Sequence, residues 1–294
     1  MTTILVPLDG SSLAEQGLTF AEQLARALPA RLRLALVHEP AAVTTGPVAR
    51  AQMALHRAER EYLARVRDRL KTAGIADVTA VVLKGDPREE LTRYADERDP
   101  DLVVIASHGR GGLARAWFGS VAEHLVRNVA APVVVVHAHE TAPGLRALDR
   151  IAVALDGSKS AEMVLDSAAQ LARAFGAELL LCRVVQPVPL PADPILPVTI
   201  AYDTELTEQL MGGSDDYLAR VAERFAGTGV PLRRRSLVGH GVAATLIEAA
   251  RDEGAGLIVM TTRGRGGLGR LGSVADKVMR GAPCPVLLYR RPRR

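Results

Sequence analysis

Two glycine-rich segments are the parts of this sequence best suited to hold an anion. The first is His108-Gly109-Arg110-Gly111-Gly112, followed after a spacer by Gly119-Ser120, and the second is Arg263-Gly264-Arg265-Gly266-Gly267, followed by Gly272-Ser273. Glycines let backbone N–H groups approach an anion, a helix N-terminus adds the positive end of its dipole, and arginines balance phosphate charge. The pattern therefore predicts a phosphate pocket.

The Gly-Ser pairs also have an interpretation that needs no ligand. Ser120 is followed three residues later by Glu123, and Ser273 by Asp276, which is typical of an N-cap serine in a capping box or a close relative of it. Such a box starts a helix with no anion present. We favour binding because a glycine loop, a helix start and a strand ending in Asp are predicted to meet at one sheet edge.

Asp9 and Asp156 each follow the first predicted strand of their half of the chain. Either carboxylate could meet a ribose hydroxyl or a metal ion held by phosphates. Alternatively, each accepts backbone hydrogen bonds in an Asp-Gly-Ser turn that caps the next helix. The two roles are compatible, so both stay open.

His108 has the chemistry of a general base, but its counterpart in the second half is Arg263. An arginine side chain does not deprotonate in proteins and cannot accept a proton. We therefore favour a phosphate contact or a loop-shaping role for His108 over catalysis.

These candidate residues recur because the chain repeats itself. The segment Ile4 to Ser11 returns as Ile151 to Ser158, and the later glycine segments return in the same order. This is the pattern of two fused copies of one domain rather than of a short solenoid repeat. We predict domains at 1–142 and 150–294, joined by a linker at 143–149 that contains Pro143 and Gly144.

Each copy alternates short apolar runs with longer amphipathic patterns. The apolar runs of the first copy, predicted as strands, are 3–8, 31–38, 78–83, 102–107 and 133–136. Their near-continuous apolarity is typical of strands buried on both faces of a parallel sheet. Helical spacing runs from Ala14 to Leu28, with a copy from Ala161 to Phe175. The predicted fold is α/β, with two tandem Rossmann-like domains, each an open five-stranded parallel sheet with helices on both faces.

Composition excludes several function classes. The 294 residues are 48% hydrophobic but only 3% aromatic, so stacking platforms for single-stranded nucleic acid are scarce. Because 37 basic residues face 33 acidic ones, we expect no nucleic-acid partner. No apolar run approaches the ~18 residues of a membrane span, and no signal peptide is evident, so we expect a cytoplasmic protein without a membrane segment. Cys182 and Cys284 lack metal-site spacing and are predicted to be buried free thiols.

Arg233-Arg234-Arg235 is a basic run in the predicted third strand of the second copy. It could attract phosphate. Edge strands, however, commonly carry charge that prevents pairing with other chains. We favour the edge-strand interpretation.

The glycine segments and the strands before them resemble the universal stress protein family in its tandem two-domain form, over essentially the whole chain. The nucleotide-binding members of that family carry G-x2-G-x9-G-(S/T). The first copy offers Ala106-x2-Gly109-x9-Gly119-Ser120 and departs only at Ala106. The second offers Thr261-x2-Gly264-x7-Gly272-Ser273, which lacks the first glycine and has a spacer two residues shorter.

The resemblance implies ATP, alone or with Mg²⁺, bound between the first and fourth strands, more firmly in the first copy. Pro7 and Asp9 match a family Pro-x-Asp beside adenine and ribose, and Val37 and Val184 match a valine that lines the adenine pocket. Asp9 would reach Mg²⁺ through the nucleotide. The implied nucleotide contacts are Pro7, Leu8, Asp9, Val37, Ala106, His108, Gly109, Arg110, Gly119, Ser120 and Val121 in the first copy, and Asp156, Val184, Thr261, Arg263, Gly264, Arg265, Gly272, Ser273 and Val274 in the second.

The family also pairs domains through the final strand, here Val133 to Val136 and Val286 to Tyr289. We expect the two copies to pair in this way, with a dimer of chains as a further expectation.

No G-x4-G-K-(S/T) occurs, so a catalytic P-loop is not supported. The resemblance implies a nucleotide-responsive stress regulator that is not an enzyme, or at most hydrolyses ATP weakly. A slow ATPase and a nucleotide-free adaptor are the alternatives.

Overall fold

The computed structural model of the chain describes residues 1–40, 45–107, 119–137, 148–190, 202–262 and 271–290. The chain divides into two compact units, one formed by Met1–Leu145 with Leu287–Arg294 and the other by Arg146–Val286. The domain limits predicted above, with a linker at 143–149, stay a prediction because residues 138–147 lie outside the described ranges.

The first unit alternates strands and helices from its first residues onward. Its elements are β1 (Thr2–Leu8), α1 (Ser12–Ala27), β2 (Ala30–His38), α2 (Gly46–Thr72), β3 (Val78–Lys84), α3 (Pro87–Arg98), β4 (Leu102–Ala106), α4 (Ser120–Asn128) and β5 (Val133–Val136). The strands are parallel and lie in the order β3-β2-β1-β4-β5. The five predicted strands are therefore confirmed, with ends that differ by a single residue.

Register places the ends of β1 and β4 side by side. Leu5 of β1 lies opposite Val103 of β4, so the same register brings Leu8 level with Ala106 at the carboxyl edge. The chain leaves β1 toward β2 on one side and returns at β4 on the other, which makes this edge a topological switch point. A ligand crevice in an open parallel sheet opens at such a point.

The core of the first unit is aliphatic, as the low aromatic content predicts. All residues of β1 from Ile4 to Leu8 are buried, and α1 turns a buried stripe toward the sheet through Ala14, Leu18, Ala21 and Leu24. Because β1 is covered on both faces, its sequence shows a continuous apolar run rather than an alternation.

The second unit repeats this design with its own variations. Its elements are β6 (Arg150–Ala154), α5 (Lys159–Glu162), α6 (Leu165–Phe175), β7 (Glu178–Val185), β8 (Val188–Pro189), β9 (Tyr202–Asp203), α7 (Thr204–Glu223), β10 (Leu232–Val238), α8 (Val242–Asp252), β11 (Leu257–Thr261) and α9 (Ser273–Gly281). The last strand of the chain, β12 (Val286–Tyr289), begins at Val286, the final residue of this unit. Strands β10, β7, β6 and β11 lie in that order and are parallel. The N–H of Ile258 donates to the carbonyl of Pro285 at 3.0 Å, so β12 begins beside β11.

The first helix of the second unit is interrupted where that of the first is continuous. A Cβ at Gly17 would lie 3.0 Å from the backbone nitrogen of Ala106, so α1 approaches β4 closely at a residue without a side chain. Val164 occupies the matching place in the repeat and is fully buried. A branched side chain cannot occupy so short a gap, and the helix predicted from Ala161 to Phe175 divides there into α5 and α6.

Strand β10 carries the basic run at the end of the second unit's sheet. Arg233 and Arg235 form ion pairs with Glu253 at 3.1 and 2.8 Å, and Arg233 also faces Glu178 at 3.7 Å. These two arginines are already balanced by carboxylates of the protein. The structure thus agrees with the edge-strand interpretation of Arg233 to Arg235.

Two further predictions concern the cysteines and the membrane. Cys182 and Cys284 are buried and neither forms a disulfide, which confirms the prediction made for them. Among the helices of the described ranges, none combines the length and the apolar character that a bilayer crossing requires.

Candidate functional site

The turn after β1 holds Asp9 in a fixed position. Its Oδ1 accepts hydrogen bonds from the backbone N–H of Ser11 at 2.9 Å and from the Ser11 hydroxyl at 2.7 Å. The Ser11 Oγ in turn accepts from the N–H of Ala14 at 3.1 Å and caps α1. Gly10 between them has a φ of 84°, a left-handed conformation that favours glycine. The turn-and-cap role considered for Asp9 is therefore present.

The second unit builds the same turn from Asp156, Gly157 and Ser158. The Asp156 Oδ1 accepts from the Ser158 N–H at 2.9 Å and from its hydroxyl at 2.6 Å, and Gly157 has a φ of 85°. Since both turns use one carboxylate oxygen in the same way, the repeat extends from the sequence to hydrogen-bond geometry.

The chain returns to the sheet after the first glycine segment through a backbone hydrogen bond. The N–H of Gly119 donates to the carbonyl of Ser107 at 2.7 Å, directly beyond the end of β4. Ser107 is buried, and α4 starts at the next residue, Ser120. This bond fixes the start of α4 at the carboxyl edge, beside the strand that carries Asp9.

The helix start differs from the capping-box interpretation. Gly119, with φ −60° and ψ 133°, is the N-cap of α4, and no side chain caps the helix. Ser120 is already the first helical residue, while the Glu123 carboxylate accepts from Arg127 at 3.0 Å. A capping box needs the serine at the N-cap, so this interpretation was wrong by one residue.

The first turn of α4 leaves backbone donors at the edge. The first intrahelical bond runs from the N–H of Glu123 to the Gly119 carbonyl, at 3.0 Å. The N–H groups of Ser120, Val121 and Ala122 precede it and have no intrahelical acceptor, as at any α-helix N-terminus. Such groups, together with the helix dipole, favour an anion.

The second unit closes its shorter loop in the same manner. Gly272 donates its N–H to the carbonyl of Thr262 at 2.7 Å, and α9 starts at Ser273 with Gly272 as the N-cap. The capping-box interpretation of Ser273 and Asp276 was likewise wrong, because Gly272 rather than Ser273 is the N-cap. The Asp276 carboxylate accepts from Arg280 at 3.1 Å. Two fewer residues therefore lead to the same helix start.

The remaining described site residues form a graded surface at each edge. In the first unit Pro7, Leu8 and Ala106 are buried, Asp9, Val37, Gly119 and Val121 are half-buried, and Ser120 is exposed. In the second unit Asp156, Val184, Thr261, Gly272 and Val274 are half-buried and Ser273 is exposed. The first set combines a buried apolar floor with a polar rim, whereas none of the named residues of the second set is buried. His108, Gly109, Arg110, Arg263, Gly264 and Arg265 lie outside the described residues.

A carboxylate clamp beside the Asp9 turn was missed by the sequence analysis. Glu15 of α1 accepts from the Tyr62 hydroxyl at 3.1 Å and from Arg69 at 2.9 Å, which ties α1 to the long helix α2. Burial, followed by the Glu15 charge and its hydrogen bond, raises the pKa of Tyr62 well above its ordinary value, and the Asp9 charge adds to this. Tyr62 is therefore neutral, and its hydroxyl donates a hydrogen bond to Glu15.

The second unit contains the same clamp. Glu162 accepts from Tyr217 at 3.1 Å and from Arg224 at 3.0 Å, and burial raises the pKa of Tyr217 in the same direction. In both units the tyrosine precedes the arginine by seven residues. An alignment of the two halves for shared polar residues would have revealed this pattern.

The edge can thus accept a molecule with an anionic part and a polar part. Backbone donors of α4 suit an anion, and the Asp9 carboxylate, on the neighbouring strand, suits a hydroxyl or a cation. The described residues of this edge contain no pair arranged as nucleophile and base.

Both halves of the chain are similar to known proteins. The family model described as "Universal stress protein family" matches residues 1–137 and again 147–290. A universal stress protein of Mycobacterium tuberculosis (strain H37Rv) is 31% identical over 198 residues, which are 66% of this chain and 63% of that protein. The matched part therefore spans less than two thirds of that relative. A universal stress protein of Mycolicibacterium smegmatis is 26% identical over 98% of this chain and 96% of its own length.

Solved structures extend the likeness to the fold. The crystal structure of a universal stress protein from Archaeoglobus fulgidus has a TM-score of 0.72, with 20% identity, and covers 99% of this chain and 98% of its own. At that identity the likeness shows the fold alone. The two family-model matches and the repeated edge geometry lead to one conclusion: the chain belongs to the universal stress protein family, with one family domain in each half.

Proposed function

We propose that the chain binds ATP at the carboxyl edge between β1 and β4 of its first unit and acts in the cytoplasm as a nucleotide-responsive regulator in the stress response. One observation carries the proposal. The bond from Gly119 to Ser107 holds the N-terminus of α4 next to the strand end that carries Asp9. A phosphate group and a sugar hydroxyl would find complementary partners at this one edge.

The described residues fit a nucleotide part by part. The N–H groups of Ser120 and Val121 suit a phosphate, and the buried Pro7 and half-buried Val37 offer apolar surface for a base. Asp9 keeps its turn through Oδ1 and would bring negative charge toward a ribose hydroxyl or a Mg²⁺ ion on the phosphates. Bound Mg²⁺ would supply neutralisation of phosphate charge.

The second unit is proposed as the weaker site. Its loop closes with the same 2.7 Å bond, so the helix N-terminus is equally well held. Thr261 stands where the family motif has glycine, and the spacer is two residues shorter. Both departures affect the segment that would surround the phosphates, so we expect the first site to fill first.

Quantifying the nucleotide carried by the purified protein tests the proposal. The chain is purified without added nucleotide and denatured, and released adenine nucleotides are measured per chain by chromatography and mass spectrometry. We expect about one per chain, consistent with the stronger first site. Absence of nucleotide, together with no rise in melting temperature on adding ATP at ~100 times a plausible Kd, would contradict it, since binding there adds about 2.7 kcal/mol.

The duplication supplies matched controls for the site. Asp9→Asn keeps an oxygen that can accept from Ser11 but removes the charge, and Asp156→Asn makes the same change in the second unit. We expect the first variant to lower nucleotide content and the second to leave most of it. Gly109→Val and Gly264→Val form a second matched pair that blocks close backbone approach. Equal effects within each pair would contradict the preference for the first unit.

The alternatives give different results in the same experiments. Sustained release of ADP that stops in Asp9→Asn at unchanged folding would favour a slow ATPase. Binding of no adenine nucleotide by a folded chain would favour an adaptor that acts through its surface.

The proposal also includes pairing of the two halves through Val133–Val136 and Val286–Tyr289. It further includes dimerisation of chains, which light scattering during size-exclusion chromatography measures.

A further inference from the structure

A cluster of metal-ligating side chains lies between β2 and α2 of the first unit. One nitrogen each of His38 and His56 and one oxygen of Glu59 lie within 4.8 Å of one another. His38 is the last residue of β2, while His56 and Glu59 are three apart on α2 and therefore share one face of that helix. His38 and Glu59 are each only 5% exposed.

Glu59 lies between the two imidazoles. Its Oε2 is 2.7 Å from the Nδ1 of His38 and 4.0 Å from the Nδ1 of His56. The first distance is a hydrogen bond, whereas the second is too long for one. Within the described part of the chain, the buried Nδ1 of His56 has no hydrogen-bond partner. A proton shared by His38 and Glu59 gives both of these side chains a hydrogen-bond partner. The Nδ1 of His56 is left without one.

Gln52 contacts the ring nitrogen of His38 that faces away from Glu59, and so orients the imidazole. Its Oε1 lies 3.0 Å from the Nε2 of His38, so the imidazole can donate Nε2–H to this amide. The Nδ1 lone pair then points toward Glu59. A histidine that binds a metal usually donates its other N–H to a carbonyl or carboxylate, which fixes its tautomer and ring orientation.

We propose that His38, His56 and Glu59 bind a divalent transition-metal ion of the zinc class. Two imidazole nitrogens and one carboxylate are a donor set that Zn²⁺ and Co²⁺ accept, whereas Mg²⁺ and Ca²⁺ prefer oxygen ligands alone. Bonds of about 2.0 to 2.2 Å in a tetrahedral site separate ligand atoms by roughly 3.3 to 3.6 Å. The distances of 2.7 and 4.0 Å from Glu59 bracket that separation.

The cluster is distinct from the proposed nucleotide site and is specific to the first unit. Val37, proposed to contact the base, precedes His38 in β2, so their side chains point to opposite faces of the sheet. Val185 ends β7 where His38 ends β2, and alignment on Tyr62 and Tyr217 puts Met211 and Ser214 in place of His56 and Glu59. The second unit thus lacks this donor set.

Metal titration of the full chain, stripped of nucleotide and metal, tests the proposal. Zn²⁺ is added in equilibrium dialysis and bound metal is counted per chain, while Co²⁺ reports the geometry through its visible absorption. We expect a saturable ion per chain with a tetrahedral Co²⁺ spectrum and a higher melting temperature with Zn²⁺. Because no nucleotide is present, failure of the nucleotide proposal leaves this result unaffected.

Variants assign the ion to the cluster. His56→Ala alters a side chain that is 28% exposed, so the metal-free protein should keep its melting temperature while one bound ion is lost. Glu59→Gln keeps an oxygen for His38 and should also lose the ion, whereas Gln52→Ala should weaken binding about 10- to 100-fold. His124→Ala and His240→Ala, remote in sequence from the cluster, should bind as wild type. No saturable ion in wild type, or undiminished binding in folded His56→Ala, would overturn the proposal.

Discussion

Burial sets the chemistry of individual polar side chains in this protein, and the cysteines are a direct case. Cys182 is 2% exposed and Cys284 is 4% exposed, and burial raises the pKa of Cys182 to about 12. The thiolate is the reactive form of cysteine. We expect neither thiol of the native chain to react with Ellman's reagent at pH 8 on the time scale of an exposed thiol. Two equivalents should react in guanidinium chloride, and one fast equivalent in native protein would contradict this.

The clamp tyrosines make stability depend on alkaline pH. Burial raises the folded-state pKa of Tyr62 and Tyr217 above the unfolded value of about 10. The contribution of these two tyrosines to the free energy of unfolding is fully present below pH ~10 and is lost as the pH rises through the folded-state pKa. We expect two of the five tyrosines to ionise late in a titration followed at 295 nm.

Tyrosine variants separate this effect from general alkaline unfolding. Tyr62→Phe or Tyr217→Phe should lower stability at neutral pH by about 1 kcal/mol through the lost hydrogen bond, and should flatten the decline above pH 10. Tyr94→Phe, on α3, is the control. If the three variants decline alike with pH, the clamps do not cause the alkaline dependence.

At the scale of elements, the close approach of α1 to β4 rests on one glycine. Gly17→Ala puts a Cβ 3.0 Å from a backbone nitrogen of β4, which cannot move aside as a side-chain tip can. We expect a loss of about 1 to 3 kcal/mol in the free energy of unfolding, measured by chemical denaturation. Gly212→Ala in α7, where a Cβ meets nothing within 4 Å, should instead gain about 0.5 to 1 kcal/mol. Equal effects of the two variants would contradict this contact.

The strands were predictable and the starts of α4 and α9 were not, for a physical reason. Buried parallel strands such as β1 show their burial in a run of apolar residues, which sequence reveals directly. The start of α4 is set by the bond from Gly119 to Ser107, a contact between residues twelve positions apart, so Ser120 took a place that local capping rules do not assign. The break between α5 and α6 at the fully buried Val164 likewise stands where the first unit has Gly17 packed against β4, a contact that the local sequence does not reveal.

The candidate sites likewise contain some residues that the sequence predicts and others that only the packing of elements brings together. Asp9 and Asp156 were predictable because their turn is local and its Asp-Gly-Ser sequence is explicit. The metal cluster was not, because His38 and Glu59 meet only after α2 packs against β2. His56 and Glu59 at helical spacing were the one local sign of it.

At the scale of the whole molecule, the repeat predicts two domains with a linker at 143–149. Arg146 lies in this segment and offers a tryptic site, whereas Arg150 begins β6 and is held by Glu178 at 2.6 Å. We expect the first cut of limited trypsin digestion to fall after Arg146, leaving two protected fragments identified by mass spectrometry. A first cut inside either half would place the boundary elsewhere.

The bonds that close the two glycine loops have an evolutionary consequence. Ser107 to Gly119 and Thr262 to Gly272 are joined alike although the chain between them differs by two residues. The strand end and the helix start therefore keep the same geometry with either loop length. The segment between them can be exchanged without altering the sheet or the helix. After a gene duplication of this kind, one loop can keep its sequence while the other diverges, and neither change alters the helix start.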